Sequence, residues 1–296
     1  MSAPEPDSQF EYGRFSLPSN PKIKIAYKFL ASSDLSLPVI ALSNSLSSNY
    51  DILWQEFVEH FKDKYSIILY DQRFHGLSPL AEDAEFDYFN KGLRFEDLAD
   101  DIVALLDHLK IARLHALVGL SMGATTTLLS KDRHHSRIGK IVASGSGLKS
   151  APPGQADVFE PRIKTATSPG GIETLASQTL DRWFPGEDGK LFLEHHTKRK
   201  DELLNMLHGA TPEGFVASVR ALQNFDLTTA LKNIKQRGES DEVLILSGSE
   251  DGPLPNVAVT LGELSGGQVK ILDKSGHITN IQKAEEFNKI VEEFIS

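Results

Sequence analysis

Apolar residues along the chain follow two alternating spacings, and the alternation predicts the fold class. Pro38-Val39-Ile40-Ala41-Leu42 and Tyr65-Ser66-Ile67-Ile68-Leu69-Tyr70 are short, nearly continuous apolar runs, as expected of buried strands. Between them Ile52, Leu53, Phe57, Val58 and Phe61 recur at helical spacing over residues 50–64. The same rhythm predicts a helix over 95–109, with Leu98, Ile102, Leu105, Leu106 and Leu109 on one face. It then predicts a strand over 114–118, a helix over 122–131 and a strand over 138–144. Two strand-like stretches, near 10–16 and 22–30, precede all of these, separated by Pro18, Ser19, Asn20 and Pro21. From about 150 to 236 the strand pattern stops, and helices are expected at 171–184, 191–208 and 213–222. Alternation resumes with a strand at 242–246, a helix near 257–264, a strand at 268–272 and a last helix from 282 to 295. The prediction is an α/β fold, a mostly parallel central sheet flanked by helices and wound from right-handed βαβ units. Residues 1–149 and 237–296 form its core, and 150–236 a helical lid inserted into it.

One pentapeptide stands at a telling point in this pattern. Gly119-Leu120-Ser121-Met122-Gly123 lies where the strand 114–118 meets the next helix, the place of a nucleophile elbow. The pentapeptide alone recurs by chance, and a serine there also suits a helix N-cap. Its position between strand and helix makes Ser121 the candidate nucleophile. A serine needs a base and the base an orienting acid, in the order Ser, Asp or Glu, His for such an elbow. Strand 242–246 runs into Ser247-Gly248-Ser249-Glu250-Asp251-Gly252, which offers Asp251, with Glu250 as the neighbouring alternative. Strand 268–272 runs into Asp273-Lys274-Ser275-Gly276-His277, which offers His277. Both loops follow the carboxyl ends of strands, where open α/β sheets bind ligands. An oxyanion hole needs two N–H donors. Met122, after the serine, is one; Leu46, in the loop after the 38–42 strand, is the candidate for the other.

Composition narrows the setting. The chain has 296 residues and a formal net charge of -10, which repels phosphate backbones and argues against nucleic acid. It has no cysteine, so thiolate metal sites and a thiol nucleophile are excluded. The pairs His134-His135 and His195-His196 lack metal-ligand spacing, so neither a metal nor a cofactor is expected. Met1-Ser2-Ala3-Pro4-Glu5-Pro6-Asp7 has no basic start and no apolar stretch, so it does not read as a signal peptide. No run approaches the length of a membrane span. A cytoplasmic enzyme acting on a small molecule is expected, with homo-oligomerisation left open.

These features together resemble an α/β-hydrolase, and the resemblance narrows further. Most members carry His-Gly in the oxyanion loop, whereas this chain has Leu42-Ser43-Asn44-Ser45-Leu46, followed by Trp54. That variant is similar to the 3-oxoadipate enol-lactonases. The match continues through Tyr70-Asp71-Gln72-Arg73-Phe74-His75-Gly76, Leu180-Asp181-Arg182-Trp183-Phe184, Thr211-Pro212-Glu213-Gly214-Phe215 and Gly276-His277-Ile278-Thr279-Asn280, covering about residues 20 to 295. It departs at Phe74 and Ser47, each in place of a usual glycine, at 156–159, where Phe159 replaces the usual lid tryptophan, and in the charged stretch 235–241. The resemblance implies an α/β-hydrolase fold, a triad of Ser121, Asp251 and His277, and opening of a lactone or ester, an enol-lactone of the 3-oxoadipate type above all. A broad carboxylesterase, another lactonase, a carbon–carbon hydrolase, a cofactor-independent haloperoxidase and a receptor-like member with slow turnover share the same framework. An enol-lactone bearing a carboxylate calls for a buried cation, and Arg162 and Arg182 are the candidates. Phe159 and Trp183 are candidates to wall the pocket, a role that competes with plain core packing.

Overall fold

The computed structural model describes residues 10–31, 37–81, 86–151 and 158–296. Met1–Asp7, Ala156 and Asp157 lie outside them. Eight strands make one sheet: β1 (Phe10–Leu17), β2 (Asn20–Leu30), β3 (Val39–Ser43), β4 (Ser66–Tyr70), β5 (Leu114–Leu120), β6 (Ile138–Ser144), β7 (Val243–Gly248) and β8 (Gln268–Leu272). Their spatial order is β1-β2-β4-β3-β5-β6-β7-β8. The hairpin β1–β2 and the pair β2–β4 are antiparallel, and every other neighbour pair is parallel. The winding direction reverses at β3, which has β4 on one side and β5 on the other. The loops leaving β3 and β5 therefore part in opposite directions and open a crevice at the carboxyl edge, as in other doubly wound sheets.

The continuous apolar runs are explained by burial on both faces. Along the central strands successive side chains enter different clusters. Ala41, Ile68, Leu117, Ile141 and Ile245 join one, while Leu42, Leu69, Val118, Val142 and Leu246 join the other. The first face is covered by α3 (Phe95–His108), α4 (Met122–Arg133), α10 (Thr228–Gln236) and α11 (Leu254–Ser265). The second is covered by α1 (Tyr50–Leu53), α2 (Gln55–Phe61), α12 (Thr279–Gln282) and α13 (Ala284–Ile295). Between β6 and α10 lie α5 (Glu160–Ala166), α6 (Gly171–Trp183), α7 (Gly186–His195), α8 (Thr197–His208) and α9 (Pro212–Leu222), with no strand among the described residues.

The element boundaries differ from the periodicity where a side chain has a stronger partner elsewhere. The helix expected over 50–64 is two helices that meet at Trp54, whose φ and ψ of -117° and 16° leave the helical region. At the break its indole Nε1 donates to Asn44 Oδ1 at 2.9 Å. The helix expected over 191–208 breaks at His196, at φ -120° and ψ 54°, into α7 and α8. The helix α10, which the apolar spacing did not predict, packs against α4 and α11 and so sits with the sheet-flanking layer.

Phe57 shows how the carboxyl-terminal helix is fixed. It is fully buried, stacks on Phe61 at 4.3 Å between ring centres, and meets Trp54 and Phe287 edge-on at 5.7 and 6.4 Å. Phe57→Ala is expected to lower unfolding stability by about 3–5 kcal/mol, read from urea unfolding.

Candidate active site

The turn between β5 and α4 is set by close backbone contacts. A Cβ at Gly119 would lie 2.3 Å from the Gly123 carbonyl oxygen, and one at Gly123 would lie 2.1 Å from the Ser43 carbonyl oxygen. Only glycine fits at either place. Between them Ser121 takes φ 56° and ψ -113°, a sparsely populated conformation for a residue with a Cβ. Its N–H is held by the Ser144 carbonyl at 2.7 Å. The strained backbone thus carries the Ser121 side chain out of the sheet edge and into a cavity of about 370 Å³.

His277 lines the same cavity. Its Nδ1 lies 2.7 Å from Asp251 Oδ2, and both side chains are buried. Asp251 is the acid beside the imidazole; Glu250 points away, toward Gly186 at the start of α7. The His277 N–H donates to the Trp183 carbonyl at 2.9 Å, which ties the histidine loop to the end of α6. Leu46 also lines the cavity. Met122 is the first residue of α4, so its N–H has no acceptor within the helix. The Leu46 N–H likewise has no acceptor among the described residues.

The cavity is cationic. Lys149, Arg162 and Arg182 line it, and no Asp or Glu does among the described residues, although the whole chain carries -10. The Arg162 guanidinium carbon stands 5.3 Å from the centre of the Phe215 ring and 5.9 Å from that of Phe159, within range of cation–π attraction. Burial, helped by repulsion from Arg182, lowers its pKa to about 10. Burial also lowers that of Arg182, against the opposing pull of Asp251. Arg182 keeps exposed surface and lines the cavity. Neither arginine has a carboxylate partner within salt-bridge distance among the described residues.

Of the residues singled out in the sequence, Ser121, Leu46, Phe159, Arg162, Arg182 and His277 share this cavity. Trp183 does not. Its ring is packed in the core with Leu180 and Phe184, and its contribution is the carbonyl that holds His277. Lys149 and Thr179 were missed. Thr179 stands one helical turn before Arg182 on α6, a spacing that was readable. Lys149 follows β6 by five residues and carries no comparable signal. A larger cavity of about 660 Å³ lies on the far side of the β3–α1 loop, and Ser47 lines both. It contains neither Ser121 nor His277, so convergence of reactive groups, not size, identifies the site. Among the described residues no group of three or more His, Asp or Glu is placed to hold a metal ion.

Residues 38–192 match the family model described as alpha/beta hydrolase fold, so the chain belongs to that family and is a hydrolase. It is 28% identical over 272 residues to 3-oxoadipate enol-lactonase 2 of Acinetobacter baylyi, covering 90% of this chain and 92% of that protein. It is also 28% identical over 204 residues to 2-hydroxymuconate semialdehyde hydrolase of Pseudomonas putida, covering 66% of each. Among solved structures, the enol-lactonase from Burkholderia xenovorans LB400 superposes with a TM-score of 0.80 at 26% identity, covering 96% of this chain and 99% of that one. No helix of the described residues is long and apolar enough to cross a membrane.

The loop under the site carries a testable titration. His75 is buried, and burial pulls its pKa from 6.5 to about 4, with the hydrogen bond to the Arg73 carbonyl acting the other way. The folded state therefore favours the neutral ring. Its contribution to stability is complete above pH 6.5 and is lost as pH falls toward 4. Between pH 7 and 4.5, His75→Asn is expected to lose about 2–3 kcal/mol less stability than the unchanged protein, measured by urea unfolding at the two pH values.

Proposed function

We propose that the chain opens a lactone or ester by serine-dependent acyl transfer, on a substrate that carries a carboxylate away from the scissile bond. An enol-lactone of the 3-oxoadipate type meets that description. The observation that carries this reading is one cavity lined by Ser121, His277 and three cations, with no acid among the described lining residues, and with Asp251 bonded to His277 from behind it. The likeness to enol-lactonases over nine-tenths of the chain supports the same substrate class.

In this reading His277 takes the Ser121 hydroxyl proton as the oxygen bonds to the carbonyl carbon. The negative oxygen that results is held by the N–H groups of Leu46 and Met122. Collapse breaks the ring C–O bond and leaves an acyl group on Ser121. An enol oxygen departs as a stabilised enolate, and the proton on His277 goes to it. Water, deprotonated by His277, then attacks the acyl carbon; as the acyl–oxygen bond breaks, His277 returns that proton to Ser121 Oγ and the acid departs, ionising to a carboxylate in solution. Asp251 fixes the imidazole tautomer and stabilises the imidazolium. Helices α5 to α9 serve as the lid, with Arg162 and Arg182 on its inner face to meet the substrate carboxylate. Phe159 walls that side, and Trp183 supports it from the core.

Ser121→Ala is expected to lower kcat for 3-oxoadipate enol-lactone by at least about a thousandfold, followed by loss of the enol absorbance. Turnover left intact by this change rejects the reading. Arg162→Ala or Arg182→Ala is expected to raise KM for carboxylate-bearing substrates by about tenfold to a hundredfold, with little effect on uncharged esters. Equal effects on charged and uncharged esters, or a preference of the unchanged protein for uncharged esters, favour a broad carboxylesterase instead.

A further inference from the structure

The β3–α1 loop, residues 44–49, is fastened at both ends to one buried carboxylate. Asp71 Oδ1 accepts from Asn44 Nδ2 at 3.1 Å, where the loop begins, and from the Tyr50 N–H at 2.9 Å, just after it ends. Asp71 Oδ2 accepts from the Leu77 N–H at 2.8 Å, which ties the same group to its own loop. Asn44 is fixed in turn. Its Nδ2 also donates to the Tyr70 carbonyl at 3.0 Å, and its Oδ1 accepts from Trp54 Nε1 at 2.9 Å. Five residues span the two fastened ends, and Leu46 is the second of them. Within the span Ser48 Oγ donates to the Ser45 carbonyl at 2.7 Å, and Ser47 is held at φ 62°, a left-handed conformation that a residue with a Cβ adopts only when its surroundings impose it.

This carboxylate is a costly way to tie two loops together. Asp71 is 1% exposed, and among the described residues no cation pairs with it. Burial pushes its carboxyl up to about 7, against the pull of its hydrogen bonds. The space around it is shaped for that group. A Cβ at Gly76 would lie 2.1 Å from Asp71 Oδ2, so a left-handed glycine at 76 is needed for the carboxylate to seat. Only a carboxylate accepts at both oxygens; an amide in its place turns an NH₂ toward one of the donors.

We propose that Asp71, acting with Asn44, is a positioning residue for the oxyanion hole: its carboxylate fixes where the Leu46 N–H stands relative to Ser121. The inference rests on Leu46 and Met122 being the oxyanion donors. It follows from the reach of the loop. Among the described residues the Leu46 N–H has no acceptor, so beyond the packing of its buried side chain its position is set by the two ends of the span. A shift of either end moves the donor relative to an oxygen that forms only in the transition state. The effect therefore falls on kcat and on tetrahedral ligands, not on ground-state binding.

The test compares Asp71→Asn, Asn44→Ala and Ser121→Ala with the unchanged protein. It measures p-nitrophenyl acetate hydrolysis, inhibition by phenylboronic acid (which becomes tetrahedral on the serine) and Tm. Asp71→Asn is expected to lower kcat by about tenfold to a hundredfold with KM nearly unchanged, and to raise the boronate Ki by a similar factor. Asn44→Ala shifts both in the same direction, and it carries the test if Asp71→Asn does not fold. Folded variants with wild-type kcat and boronate Ki overturn the proposal, as does a fall in kcat with the boronate Ki unmoved. Activity that survives Ser121→Ala instead rejects the serine mechanism itself, so the two failures are distinguishable.

Discussion

The contact between the first turn of α4 and the end of β3 governs this site. Gly123 lies so close to the Ser43 carbonyl that no side chain fits between them. That proximity forces β5 to turn into α4 without a connecting loop, and the turn leaves Ser121 in a backbone conformation that it would not adopt alone. The same contact brings the amino end of α4 beside the loop that leaves β3. Ser121 and Leu46 line one cavity beside that contact. The surrounding sheet supplies rigidity: β3 and β5 are buried on both faces, and each is hydrogen-bonded to two neighbours.

Charge is distributed against the overall balance. The surface is acidic, while the cavity beside Ser121 gathers three cations and no carboxylate among the described residues. Two of these cations have pKa values lowered chiefly by partial burial. A guanidinium beside two aromatic rings, with no carboxylate within salt-bridge distance among the described residues, is poised to gain from an anion that brings its own charge into the cavity. The acidic exterior slows the approach of such an anion, and the local field in the cavity favours it once it arrives.

Much of this was legible in the amino-acid pattern. The strand runs were readable because both faces of the sheet are covered, which leaves no polar side to blur the signal. Ser121, Asp251 and His277 were readable because each follows a strand end, and the structure brings His277 and Asp251 together and sets His277 beside Ser121 on one cavity. What was not readable depends on contacts between distant segments. The break at Trp54 coincides with a bond from its indole to Asn44 ten residues earlier, which no periodicity reveals. Trp183 resembled a pocket wall because tryptophans often are, yet its ring is core and its carbonyl is the useful group. Asp71 sat in a stretch that reads as an ordinary turn. Its three partners come from three places in the chain, and sequence order does not announce their meeting.

The bond from the His277 N–H to the Trp183 carbonyl bears on how specificity in this scaffold can be altered. Trp183 is the last residue of α6, and its neighbour Arg182 faces the cavity. The helix that lines the cavity with Arg182 therefore also grips the loop that carries His277. Exchanging the five helices between β6 and α10 for those of a relative, as a modular graft, would cut a tether of the histidine along with the old pocket. A donor segment must arrive with its final residues in the same register.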